Sequence, residues 1–106
     1  MSAGDRPILL VEDNPMDVDL TLRAFKRRRV TNTIHGARDG EEALAWMARW
    51  QAGEPWPAVI LLDLNMPKVS GLDVLREIKA HARFRSIPIV VLTTSAEDAD
   101  VRAAYA

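Results

Sequence analysis

Four short apolar runs separated by longer amphipathic stretches form the strongest pattern in this chain. The runs cover residues 8–11, 33–37, 59–62 and 89–92. Three of them are continuously aliphatic, which is typical of parallel strands that helices cover on both faces, whereas the second, "TIHGA", suits an edge strand. Alternating strands and helices favour repeated βα units around one sheet. The sequence therefore predicts an α/β fold with a parallel sheet.

Helix-capping signals precede the amphipathic stretches. Asn14-Pro15 opens the first predicted helix, Asp39-Gly40 opens the second, and Ser70 opens the third, with Asp73 at the capping-box spacing. Ser95 begins a fourth helix by the same spacing. The predicted buried faces of the first three helices are, in chain order, Val18, Leu22 and Phe25, then Ala43, Trp46, Met47 and Trp50, then Leu72, Leu75 and Ile78.

Length and composition restrict the classes of protein that remain. With 106 residues the chain makes one domain, residues 1–106. A net charge of -1 gives no overall electrostatic case for a nucleic-acid or membrane partner. The absence of cysteine excludes disulfides and thiolate metal sites. No stretch reaches the ~20 apolar residues of a membrane span, and the N-terminus does not resemble a signal peptide. We expect a soluble, cytoplasmic protein.

A basic run, "KRRR" at residues 26–29, ends the first predicted helix. It has the charge of a nucleic-acid patch, but cations at a helix C-terminus also interact favourably with the helix dipole. We prefer the second interpretation.

Acidic and hydroxyl side chains follow the predicted strands at their carboxyl ends, where open parallel sheets bind ligands. Glu12 and Asp13 follow the first strand, Asp63 the third and Thr93 the fourth. If the first and third strands are neighbours, ~4.8 Å apart, three carboxylates converge. A hard divalent cation with oxygen ligands relieves their repulsion. Mg²⁺, which prefers a few carboxylates with waters and phosphate oxygens, is the predicted cofactor.

A carboxylate beside Mg²⁺ can also attack phosphorus and form an acyl phosphate. Asp63 is the central acid of the predicted cluster, and Thr93 is the predicted hydroxyl donor to the phosphoryl oxygens. Simpler interpretations stay open for each residue. Asp63 could be a turn acid, Glu12 and Asp13 could cap a helix, and Thr93 could be an ordinary strand residue.

Three motifs, "ILLVEDNP", "ILLDLNMPKVSGLDVL" and "IPIVVLTTS", resemble the receiver domains of two-component response regulators, especially the single-domain receivers that serve phytochrome-type histidine kinases. The resemblance covers nearly the whole chain. It implies a flavodoxin-like, doubly wound parallel sheet of order 2-1-3-4-5. It makes Asp63 the phosphoacceptor and Glu12 and Asp13 the acidic pair that holds Mg²⁺. Asn65 would supply a backbone carbonyl to the metal, and Thr93 would close on the phosphoryl group.

The function that this resemblance implies is a phosphorylation switch. Asp63 takes a phosphoryl group from a sensor histidine kinase in a Mg²⁺-dependent step, forming an aspartyl phosphate. The new charge shifts the surface near the fourth helix and alters binding to a downstream protein, which the sequence does not identify. Such a domain assists its own phosphorylation and dephosphorylation and is not an enzyme acting on an external metabolite.

Two departures from the family pattern bear on this expectation. Thr94 stands where a small residue, often Ala, is common. Receivers also continue with a fifth strand, which carries a phosphate-contacting lysine, and a fifth helix, whereas this sequence ends at "RAAYA". Without those elements the fourth strand is an exposed apolar edge, and part of Val18, Leu22 and Phe25 is uncovered. We expect either a C-terminally incomplete receiver domain, or a homodimer or strand exchange that covers this surface.

Two other functions compete with the switch. A haloacid-dehalogenase-like phosphatase also uses an aspartyl phosphate, but its nucleophile follows the first strand with a second acid two residues on, whereas here Asn65 follows Asp63 on a later strand. A phosphorylation-independent, receiver-like interaction module is favoured by the missing lysine. The presence of Glu12, Asp13, Asp63 and Thr93 argues against it.

Overall fold

Strands and helices alternate in the computed structural model, which describes residues 6–64 and 70–92. The elements are β1 (Ile8–Val11), α1 (Pro15–Arg27), β2 (Ile34–Ala37), α2 (Gly40–Gln51), β3 (Val59–Asp63), α3 (Gly71–Ala80) and β4 (Ile89–Leu92). The first and fourth strands have the predicted bounds. The second begins one residue later than predicted, and the third ends one residue later, at Asp63. The fourth helix, predicted from Ser95, lies outside the described residues.

The four strands form one parallel sheet in the order β2-β1-β3-β4. This order confirms the predicted α/β, doubly wound arrangement of a flavodoxin-like fold, and it confirms the "TIHGA" segment as an edge strand. In the central register, Val11 of β1 lies opposite both Ala37 of β2 and Leu62 of β3. The carboxyl ends of these three strands are therefore level with one another.

The predicted helix caps are present at all three described helices. Asn14 and Asp39 each accept a hydrogen bond from a backbone N–H of the first helical turn at 2.9 Å, and Ser70 does so at 3.2 Å. Pro15 occupies the first position of α1, where its missing N–H has no intrahelical partner to lose. Each cap satisfies a backbone donor that would otherwise lack a partner, which contributes about 1 kcal/mol.

The two faces of the sheet are buried to different extents. Helices α2 and α3 cover the larger core, where the fully buried Trp50 and the half-buried Trp56 both meet Phe84 edge to face, with centroids 5.5 and 4.9 Å away. Helix α1 covers the smaller core formed by residues of β1 and β3, and no residue of α1 is fully buried. Val18 and Phe25 are half-buried, whereas Leu22 is 39% exposed. The predicted buried face of α1 is therefore only partly buried.

No helix in the described part of the chain combines the length and apolar character that crossing a membrane requires.

Candidate functional site

The acidic site lies at the edge of the sheet where β1 and β3 end side by side. Glu12 directly follows Val11, and Asp63 is the last residue of β3. The backbone N–H of Glu12 donates to the carbonyl of Ala37 at 2.9 Å, which continues the β1–β2 ladder by one residue. The parallel register thus fixes the Glu12 backbone between its neighbours and places it beside the end of β3.

Carboxylate oxygens of Glu12, Asp13 and Asp63 lie within 4.8 Å of one another. Glu12 is buried, with 7% of its surface exposed, Asp63 is half-buried, and Asp13 is exposed. The structure thus brings together three of the five residues that the sequence assigns to the site. The other two, Asn65 and Thr93, lie outside the described residues. The roles of all five stay predictions.

Glu12 has the most perturbed environment in this group. Burial raises the pKa of its carboxyl from about 4.5 to about 7. The backbone N–H of Asn14, which donates to Glu12 Oε1 at 3.0 Å, opposes that shift, and the neighbouring Asp63 carboxylate adds to it. No sequence signal indicated that the Asn14 backbone holds a site carboxylate, since the position of Asn14 before α1 pointed only to helix capping. Ionising the Glu12 carboxyl therefore costs free energy in the metal-free protein.

The chemistry of this donor set fits a divalent metal ion. All three groups supply hard oxygen ligands, and the cluster contains neither histidine nor cysteine. A cation at this position would offset both the burial of Glu12 and the repulsion between Glu12 and Asp63. The exposed Asp13 leaves one side of the group accessible to solvent.

Gly71 brings the start of α3 against the end of β3. A Cβ built on this glycine would overlap the carbonyl oxygen of Asp63 and lie 2.5 Å from Cα of Leu64. Both neighbours are backbone atoms, so no side-chain rotation relieves the overlap. The structure thus gives the reason for glycine at this position: the helix terminus packs directly on the backbone of the central acid.

The two histidines are packing residues rather than members of the acidic group. His35 stacks on Trp46 with ring centroids 4.3 Å apart, and His81 stacks on Phe84 at 4.2 Å. Trp46 also donates from Nε1 to the carbonyl of Gly36 at 3.1 Å. These contacts give both histidines packing roles and agree with the predicted packing role of Trp46.

Comparisons with known proteins find one family and several similar regulators. The family described as response regulator receiver domain matches residues 8–106. The probable methanogenesis regulatory protein FilR2 of Methanothrix harundinacea is 48% identical over 99 residues, which cover 92% of this chain and 64% of that protein. Response regulator Rcp1 of Synechocystis is 44% identical over 102 residues, covering 92% of this chain and 68% of Rcp1. The chain thus spans about two thirds of the length of these relatives.

Solved structures of response regulators are also similar to this chain. The phosphorylated cyanobacterial phytochrome response regulator RcpA is 40% identical with a TM-score of 0.84, and the Mn²⁺-bound form of Rcp1 is 41% identical with a TM-score of 0.84. Each match covers 94% of this chain and 73% of the matched chain. These likenesses confirm the resemblance that the three sequence motifs indicated.

Proposed function

The chain belongs to the response regulator receiver family, and we propose that it is a phosphorylation switch in which Asp63 accepts a phosphoryl group from a sensor histidine kinase. The observation that carries this proposal is the group of three carboxylates at the ends of β1 and β3. The phosphorylated state of RcpA and its description as a phytochrome response regulator support phosphorylation and a kinase of phytochrome type.

Asp63 provides the nucleophile in the proposed step. One of its carboxylate oxygens attacks phosphorus and forms an O–P bond, while the bond from phosphorus to the imidazole nitrogen of phosphohistidine breaks and the imidazole leaves with the electron pair. Asp63 is half-buried at the end of β3, and the contact between Gly71 and its carbonyl restrains its backbone. This rigidity keeps the attacking oxygen in place as the donor approaches.

Glu12, Asp13 and Asp63, with the backbone carbonyl of Asn65, are proposed to hold Mg²⁺. The Mn²⁺-bound form of Rcp1 supports a divalent ion at such a site. When bound, the ion supplies positive charge to the phosphoryl oxygens. Asn14 positions the Glu12 carboxylate through its backbone N–H, and the Thr93 hydroxyl is proposed to donate to the phosphoryl group.

The output of the proposed switch is protein binding. The single charge of the Asp63 carboxylate is replaced by an acyl phosphate that carries about -1.5 to -2 charges at neutral pH, and the added charge shifts the balance between two surface conformations near the fourth helix. The chain has a net charge of -1, which does not favour a nucleic-acid or membrane partner. A cytoplasmic location follows from the proposed kinase reaction, and the downstream protein is a partner of unassigned identity.

Intact-protein mass spectrometry tests the proposal. The chain is incubated with acetyl phosphate and Mg²⁺, alongside a chelated sample and the variants Asp63→Asn and Asp19→Asn. Asp19 is an exposed acid on α1 outside the cluster, which makes it a matched control. We expect one added phosphoryl group on the wild type and on Asp19→Asn, and none on Asp63→Asn or in the chelated sample. Folded wild type without an adduct would instead favour the phosphorylation-independent interaction module.

A further inference from the structure

Basic side chains gather at the amino-terminal edge of the sheet, the edge opposite Asp63. Each helix that connects two parallel strands runs back across the sheet, so the last turns of α1, α2 and α3 lie at this edge. All three turns carry cations, which are Lys26 and Arg27, Arg49, and Lys79. Cations in the last turn of a helix interact favourably with its dipole, which gives these residues a structural role.

Five further arginines lie at the same edge beyond the last helical turns. They are exposed, and within the described part of the chain none of them forms an ion pair. The segments that lead into β2, β3 and β4 contain one acid, Glu54, and Arg49 already donates to it from Nη2 at 3.0 Å. A net charge of -1 for the chain is therefore compatible with a strongly basic edge. The five residues are Arg6, Arg28, Arg29, Arg83 and Arg85.

Hydrogen bonds between neighbouring segments fix where these arginines lie. Nδ2 of Asn32 donates to the carbonyl of Arg6 at 2.7 Å, which ties the segment before β2 to the segment before β1. The N–H of Ala58 donates to the carbonyl of Pro7 at 2.8 Å, which ties β1 to the segment before β3. The sheet order then puts the arginines before β1 and β2 on one side and those before β4 on the other. Two to three strand spacings, roughly 10–15 Å, separate the two groups.

Trp56 lies between the two groups, in the segment that leads into β3. Its indole is half-buried against the ring of Phe84, and the guanidinium of Arg83 lies 5.3 Å from the indole centroid. The preceding Pro55 is exposed. A partly exposed aromatic group with cations on both sides matches the arrangement of protein interfaces, in which an apolar centre has a polar rim. We call Trp56 and the five arginines the basic face.

Arg29 occupies a backbone position that favours glycine. Its N–H donates to the carbonyl of Lys26, and the N–H of Val30 donates to the carbonyl of Phe25, which is the hydrogen-bond pattern of a Schellman motif at the end of α1. Arg29 has a φ of 58°, and this left-handed position is usually glycine because a Cβ is disfavoured there. An arginine therefore contributes charge at a position where glycine would make the more stable helix end.

We propose that the basic face is a docking site for an acidic segment of another protein, with carboxylates on both sides of an aromatic or aliphatic side chain. The carboxylates pair with the two groups of arginines, whose planar guanidinium groups suit bidentate carboxylate binding. The apolar side chain packs on the exposed part of Trp56. An extended chain advances about 3.3 Å per residue, so the space of roughly 10–15 Å between the groups corresponds to about three to five residues.

An acidic polypeptide fits this face better than a nucleic acid or an anionic membrane. The Glu54 carboxylate lies in the same segment as Trp56, between the two groups of arginines. A phosphate backbone or a layer of lipid headgroups presents anions at close intervals, so it would place phosphates beside this carboxylate and the indole. A polypeptide can place its acids at both ends and an uncharged side chain in the middle.

The basic face and the acidic group lie at opposite ends of the sheet. The five residues of β3 span about 13 Å between them, and docking uses none of the three clustered carboxylates. A partner therefore stays bound whether or not Asp63 is phosphorylated. This inference goes beyond the proposed switch, and it is tested on unphosphorylated protein.

Fluorescence anisotropy measures docking with a labelled peptide in which leucine, tryptophan and leucine lie between two short runs of glutamate. We expect saturable binding with a dissociation constant of about 10–100 µM at low salt, which weakens as salt is added. The alternative probes are the same peptide with glutamine in place of glutamate, a short oligothymidylate and phosphatidylserine vesicles. No saturable binding of the acidic peptide below ~1 mM would overturn the proposal, as would tighter binding of any alternative probe.

Paired charge reversals test whether the two groups of arginines act together. Arg28→Glu with Arg85→Glu changes one residue of each group and should weaken peptide binding about tenfold or more. Arg38→Glu with Arg76→Glu is the matched control, since it reverses two exposed cations outside the basic face, and it should weaken binding less than about threefold. Equal weakening by both variants would contradict a specific site. Circular dichroism of each variant checks that the fold is intact.

Arg29→Gly separates binding from folding. Glycine adopts the positive φ without strain, so the urea midpoint should rise while affinity for the acidic peptide falls about threefold. A loss of both stability and affinity, or an unchanged affinity, would contradict the assignment of Arg29 to the docking site.

Discussion

Replacing Glu12 with glutamine should stabilise the metal-free protein at alkaline pH. The Glu12 carboxyl is buried beside Asp63, and its pKa is raised from 4.5 to about 7. Between these two values the folded state binds more protons than the unfolded state, so stability falls as pH rises through this window. At about 1.4 kcal/mol per pKa unit, the full cost of ionised Glu12 above pH 7 reaches about 3 kcal/mol. Glutamine keeps the acceptor for the Asn14 N–H and carries no charge.

Urea unfolding at two pH values measures the effect. In the presence of a chelator at pH 8, we expect Glu12→Gln to raise the free energy of unfolding by about 1–3 kcal/mol. At pH 5, where most folded molecules already hold the proton, the gain should shrink below about 1 kcal/mol. Glu77→Gln, which changes an exposed acid of α3, is the matched control and should alter stability by less than about 0.5 kcal/mol at either pH.

Magnesium should stabilise the wild type more than it stabilises Glu12→Gln. The ion stabilises the folded state in proportion to the logarithm of its concentration over its dissociation constant, and only the wild type retains all three carboxylates. At pH 8 with saturating Mg²⁺ we therefore expect the wild type to gain the larger increment. A Glu12→Gln variant that is less stable than the wild type in chelator at pH 8, or a difference independent of pH, would refute the reasoning.

Two further substitutions test how the site and the core are built. Gly71→Ala should destabilise the protein by about 2 kcal/mol or more and reduce phosphorylation, because its Cβ would overlap the backbone of Asp63. Gly36→Ala, where nothing lies within 4 Å of the added Cβ, should be neutral or slightly stabilising in the same urea titration. Phe84→Ala removes the ring that both Trp50 and Trp56 contact, and calorimetry should show a loss of about 3–5 kcal/mol.

The strands and helix starts could be predicted because their signals are local. Aliphatic runs marked β1, β3 and β4, and side-chain caps marked the three described helices. The start of β2 was less certain by one residue, since Thr33 precedes the strand yet its carbonyl still accepts from the N–H of Ile8 at 2.8 Å. Thr33 therefore makes a strand-like hydrogen bond although it lies just outside β2. The sequence alone does not show whether such a flanking residue is the first residue of the strand or precedes it.

The site required information that no single motif contains. The sequence supplied the acids, but their convergence depended on β1 and β3 being neighbours, which the sheet order establishes. The raised pKa of Glu12 depends on burial by distant elements, so the residue type alone could not indicate it. Likewise, the periodicity of α1 gave the direction of its inner face and not the degree to which Leu22 would be covered.

Chemical identification of the modified residue tests the central claim most directly. After phosphorylation with acetyl phosphate and Mg²⁺, borohydride reduces an aspartyl phosphate to homoserine, and peptide mass spectrometry locates the converted position. The phosphorylation switch predicts homoserine at position 63 and an unmodified Asp13, although Asp13 is the more exposed of the two acids. Homoserine at position 13, or no conversion in folded and phosphorylated protein, would contradict the assignment of Asp63 as the acceptor.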